Sequence, residues 1–73
     1  MTYREAIQKG LEERKLTKAQ LARNLEMSPQ LLNDKLNKTK TMTADVLIEM
    51  MNAMGYDVVI KDRINGAEEV LGR

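Results

Sequence analysis

TKAQLARNLEMSPQLLNDKL, running from Thr17 to Leu36, is the stretch that decides the fold of this chain. Its spacing predicts two short helices joined by an abrupt change of direction. Thr17 supplies a hydroxyl N-cap for the first, which carries Leu21, Ala22 and Leu25 on one face. Ser28 caps the second, and Pro29 takes its first helical position, where a missing N–H costs nothing. Leu32 and Leu36, one turn apart, form the buried stripe of that helix, with Leu31 expected beside it. Only Glu26 and Met27 separate the two helices, so the turn must be tight.

Upstream, residues 2–15 read as another helix. Tyr3, Ile7 and Leu11 recur at intervals of four, Thr2 is the N-cap, and Glu5 completes a capping box with it. Gly10 inside that helix costs about 1 kcal/mol relative to alanine, which predicts a close helix–helix approach there. Downstream, Thr43 caps a further helix with Asp45 in its first turn. Val46, Leu47, Met50, Met51 and Met54 line its inner face, and Gly55 supplies a left-handed stop. The period then changes. Residues 56–61 are β-branched and alternate, with Tyr56, Val58 and Ile60 on one side. A lone strand leaves its backbone unpaired, so it needs a partner. Asn65-Gly66 would make a two-residue hairpin turn leading back through Glu68–Leu71. The same strand in a second copy is the other candidate.

Composition narrows the chemistry. A chain of 73 residues is one small domain that buries only about 60–65% of its unfolded surface and gains from association. It has neither cysteine nor histidine, which removes disulfides, zinc sites of the usual kind and imidazole catalysis. There is no glycine-rich phosphate loop and no catalytic constellation, so no enzyme and no cofactor are expected. No apolar run approaches the ~20 residues of a membrane span. The N-terminal MTYREAIQKG is charged where a signal peptide is apolar, so a soluble cytoplasmic protein is expected. Net charge is only +1, but residues 14–40 carry +5 and the rest of the chain −4. The positive charge is gathered on the two-helix stretch.

Caps, spacing and the small residue at Ala22 together give the layout of a helix-turn-helix. They resemble the phage Cro and repressor-like family, also called the xenobiotic-response-element family. The matching residues are Thr17, Leu21-Ala22, Met27, Ser28 and Leu32, and with the flanking helices the resemblance covers about residues 2–55. It implies a mainly α, lambda-repressor-like bundle of about four helices with a C-terminal β-strand or hairpin. Residues 1–55 would form the DNA-binding part and 56–73 a dimerisation element of the same domain. Two departures stand out. Glu26 occupies the turn position where the family usually has glycine, at a cost of roughly 1 kcal/mol and with a modified turn expected. Lys18 replaces the usual glutamine at a position that commonly touches phosphate, which a lysine can do as a point charge.

The resemblance also assigns roles. With Leu32 and Leu36 inward, the outward positions of the second motif helix are Ser28, Pro29, Gln30, Asn33, Asp34 and Asn37. Gln30 and Asn33 are the leading base readers, since their amides match adenine N6 and N7; Asp34, which could accept from cytosine N4, and Pro29 complete the base-reading set. Lys18, Ser28, Lys35, Asn37, Lys38 and Lys40 are the phosphate set. Dimerisation is assigned to Tyr56, Val58, Val59 and Ile60, with Met51 and Met54 as possible additions. The expected function is a sequence-specific transcriptional regulator, a repressor by expectation, binding palindromic double-stranded DNA as a homodimer. The alternative is a protein-interaction module, such as the antitoxin of a toxin–antitoxin pair, whose strand and tail bind another protein.

Overall fold

The computed structural model describes residues 1–38 and 42–72. Four helices come first, α1 (Tyr3–Arg14), α2 (Lys18–Asn24), α3 (Pro29–Asn37) and α4 (Ala44–Ala53). A two-stranded antiparallel hairpin follows, β1 (Val59–Lys61) and β2 (Glu68–Val70). The protein is therefore a mainly α bundle with a C-terminal hairpin.

Every helix starts on a hydroxyl. Thr2, Thr17, Ser28 and Thr43 each accept from the backbone N–H three residues on. At Thr17 the box closes, because the Gln20 side chain also accepts from the Thr17 N–H at 2.8 Å. At Thr2 the reciprocal bond takes another form, with the hydroxyl donating to the Glu5 carboxylate at 3.2 Å.

Three helices stop in the same way. Lys15, Glu26 and Gly55 all have left-handed backbone, with φ of 55°, 56° and 87°. In each case the next residue's N–H reaches back five positions: Leu16 to Leu11, Met27 to Ala22 and Tyr56 to Met51, all at 2.9 Å. This is the Schellman closure, which satisfies helix carbonyls and turns the chain sharply. Sequence reasoning anticipated it only at Gly55. It extended α1 through Lys15 and expected Glu26 to modify the turn. The turn is unmodified: glutamate itself adopts the glycine-like conformation, between Leu25 and Met27, which pack half-buried against the core.

The core is aliphatic and sulfur-bearing, as a chain without Phe or Trp must make it. Ile7 and Leu11 of α1, Leu21 and Ala22 of α2, Leu32 and Leu36 of α3, Met50 of α4 and Met54 at its end are all buried, and no polar side chain joins them among the described residues. Gly10 has the predicted close approach. A Cβ there would lie 2.9 Å from Met54 Cε and 3.3 Å from the Tyr56 ring.

The C-terminal segment differs from expectation in its details. The strand is Val59–Lys61 and not 56–61, because the Tyr56 side chain is bound to α1 and its backbone closes α4. Its partner is β2 of the same chain, with Val59 opposite Val70 and Lys61 opposite Glu68. Asn65-Gly66 is not a two-residue turn. The chain takes four residues, 63–66, to reverse, with Gly66 N–H bonded to Asp62 O and the Asp62 amide to Ala67 O. The Asp62 carboxylate accepts from Ile64 N–H, and the Asn65 side chain from Ala67 N–H, both at 2.8 Å. These Asx contacts stabilise the longer loop. With the hairpin at one end, the molecule measures 41 × 27 × 22 Å.

Candidate nucleic-acid interface

The site is built on α3. Leu32, fully buried, and Leu36 fasten one face of this helix to the core. Ser28 Oγ accepts from Leu31 N–H at 3.1 Å and fixes the helix start. At 100° per residue the opposite face then carries Gln30, Asp34 and Asn37, with Asn33 on one flank. Pro29, Gln30, Asn33, Asp34 and Asn37 are all exposed. Gln30, Asn33, Asp34 and Asn37 therefore share one open, polar surface, while Pro29 is exposed in the first turn, nearer the side of Leu36. Ser28 is exposed at its leading end, but its hydroxyl is already an acceptor for the cap. Lys35 is half-buried. Lys38 is exposed and closes the helix through its N–H to Asp34 O. Lys40 lies outside the described residues.

Leu31 corrects the sequence reading. It was expected beside the buried stripe, but it is 45% exposed. Leu31 sits 100° behind Leu32 around the helix, on the side of Asp34, Lys35 and Lys38. The surface thus combines amides, a carboxylate and one apolar side chain. Amides can pair bidentately with adenine, a carboxylate can accept from cytosine, and an apolar group can meet the thymine methyl.

Two arginines of α1 hold the bundle from outside the core, and neither role was legible in the sequence. Arg4 donates from Nε to Leu36 O at 2.9 Å and from Nη2 to Asn37 O at 2.8 Å. It thereby places a cation on the carbonyl end of α3, where the helix dipole is negative. Arg14 does the equivalent for α4, with Nε to Met54 O at 3.0 Å and its guanidinium 4.3 Å over the Tyr56 ring. The only sequence signal was two arginines on a helix otherwise rich in glutamate. Their partners are more than thirty residues away, so no local pattern names them.

Beside α3, an open groove of about 420 Å³ runs between α1 and the C-terminal end of α3. Ile7, Leu11 and Leu36 line it, with Arg4, Lys18 and Asn37 among its polar residues. Lys18 shares this groove with Glu5 and Glu12, so acidic as well as basic side chains border it. The residues assigned to dimerisation lie elsewhere. Tyr56 is half-buried, and its hydroxyl donates to Glu13 at 2.5 Å. Val58 is half-buried, while Val59 and Ile60 are exposed on β1. Met54 is inside the core and is closed to any second chain; Met51 is half-buried.

Tyr56 and Glu13 titrate abnormally. The Tyr56 hydroxyl holds the Glu13 carboxyl below its ordinary 4.5, helped by Lys9 and Arg14 and opposed by desolvation. The same hydrogen bond, with partial burial, raises the Tyr56 phenol above 10.0 against the pull of Arg14. The pair ties the segment after α4 to the last turn of α1. No helix among the described residues is long and apolar enough to cross a membrane. Comparison with protein-family models, characterised proteins and solved structures returned no match.

Proposed function

We propose that this protein is a sequence-specific DNA-binding transcriptional regulator, a repressor in its simplest mode, acting in the cytoplasm as a homodimer on palindromic duplex sites. It is read as a Cro/repressor-like helix-turn-helix protein in which α3 enters the major groove. The observation that carries the reading is the outer face of α3. Gln30, Asn33, Asp34 and Asn37 stand exposed on a helix whose other face is locked by Leu32 and Leu36. The gathering of positive charge on residues 14–40, which include α2 and α3, supports the reading by suiting this part of the chain to a polyanion.

In this reading Gln30, Asn33 and Asp34 read base edges, Pro29 shapes the approach, and Ser28, Asn37 and the lysines meet the backbone. Leu31 joins the base-reading group. One helix of nine residues buries too little surface for specific binding by itself, so two copies share a site with half-sites about one helical turn apart. Selection of bound sequences from random duplex DNA, repeated at two salt concentrations, tests the reading. A palindrome should emerge, and affinity should fall steeply with salt. Failure to enrich any sequence overturns it.

A further inference from the structure

We propose that Leu31 and Asp34 act as a pair on α3 and together recognise one 5-methylcytosine in each half-site of the duplex. This deepens the DNA-binding reading above and rests on it.

The rotation of α3 sets the pair. With Leu32 and Leu36 buried, Asp34 falls at the middle of the outward face and Leu31 about 60° to one side of it. Residues three apart on a helix are surface neighbours, with Cβ atoms roughly 5–6 Å from each other. Helical side chains lean toward the N-terminus, so the Asp34 carboxylate leans back over the turn that carries Leu31. Both residues are exposed, and Leu31, at 45%, is the one large apolar side chain that α3 exposes. A carboxylate and an isobutyl group therefore stand side by side on an otherwise amide-bearing face.

Base chemistry narrows what such a pair faces in the major groove. A carboxylate there is repelled by phosphates and by the N7, O6 and O4 acceptors, so its partner has to be an exocyclic amine, on cytosine or adenine. An apolar side chain has one apolar counterpart in the groove, a methyl group on C5 of a pyrimidine. Thymine offers that methyl but sets the O4 acceptor beside it. Cytosine offers the N4 amine but no methyl, and adenine sets its amine beside N7. 5-Methylcytosine carries an amine and a methyl on adjacent ring carbons, C4 and C5. It is the base that satisfies both side chains at once. Gln30 and Asn33, whose amides donate as well as accept, are left to the other positions of the half-site.

The test selects duplexes from a random library in which 5-methylcytosine replaces cytosine, then measures binding by fluorescence anisotropy. One cytosine should be fixed in each half-site, and removing its methyl should weaken wild-type binding about fourfold per half-site, the worth of one buried methyl group. Leu31→Ala should lose this methyl dependence while still preferring cytosine to thymine at that position. Asp34→Asn should keep the methyl dependence and bind thymine there as well as 5-methylcytosine, because an amide donates to O4 or accepts from N4. Helical circular dichroism checks that both variants are folded. Methyl removal without effect at every cytosine, a half-site without cytosine, or a methyl effect unchanged in Leu31→Ala overturns the pairing and leaves DNA binding standing. So does a loss in Leu31→Ala that follows a thymine methyl at a neighbouring pair, read by exchanging thymine for uracil. Failure to enrich any sequence from modified or unmodified libraries overturns the DNA-binding reading, and the pairing with it.

Discussion

Glu26 is the residue at which local preference and tertiary need conflict. Its φ of 56° is a conformation that costs a side-chain-bearing residue about 1–2 kcal/mol, partly offset because glycine loses more entropy on folding. Glu26→Gly should therefore raise stability by about 0.5–1 kcal/mol, seen as a melting point a few degrees higher, whereas Glu26→Ala should leave it nearly unchanged. A drop in stability with glycine would mean that the side chain makes a contribution the turn geometry does not reveal. Tyr56 and Glu13 give a second prediction at this scale. Glu13 has a depressed pKa, so its contribution is present above 4.5 and is lost as pH falls through the folded value. Tyr56 is raised, so its contribution is present below 10.0 and is lost as pH rises through the folded value. Tyr56→Phe should flatten both limbs of the stability profile and move the Glu13 carboxyl, followed by NMR titration, back toward its ordinary value.

Among the elements, the helices were legible and the hairpin only partly so. Hydroxyl caps at Thr2, Thr17, Ser28 and Thr43 and apolar stripes at three- and four-residue spacing are local signals, and each produced the helix it predicted. The hairpin depended on Asp62 and Asn65 binding backbone N–H groups inside a longer loop, which outweighed the Asn-Gly signal. The arginine clamps were illegible because they join α1 to helix ends far along the chain. Arg4 gives the test of what holds α3. Arg4→Met keeps an unbranched stem but removes both bonds to Leu36 O and Asn37 O. The expected cost is about 1–2 kcal/mol, with faster amide exchange in the last turn of α3 than in its first. Uniform exchange along α3 would show that Leu36 packing alone positions that end.

For the molecule as a whole, the charge division of the sequence finds a physical counterpart. The basic stretch contains α2 and α3, while α4 carries Asp45 and Glu49, the link after it Asp57, and the hairpin Asp62, Glu68 and Glu69 against Lys61 and Arg63. Under the proposed function, this division of charge favours one orientation of the molecule toward a polyanion. The placement of Gln30, Asn33 and Asp34 on one face was legible because Leu32 and Leu36 alone set the rotation of α3. The exposure of Leu31 was not, since an apolar residue next to a stripe gives no sign of which side it will take. Equilibrium binding to the duplex that emerges from selection tests the central claim most directly, comparing wild type, Asn33→Ala and Lys18→Ala. The account predicts that Asn33→Ala loses about 1–3 kcal/mol and relaxes preference at one base position per half-site. Lys18→Ala should weaken all sequences alike and reduce the salt dependence. Binding left unchanged by both substitutions would contradict it.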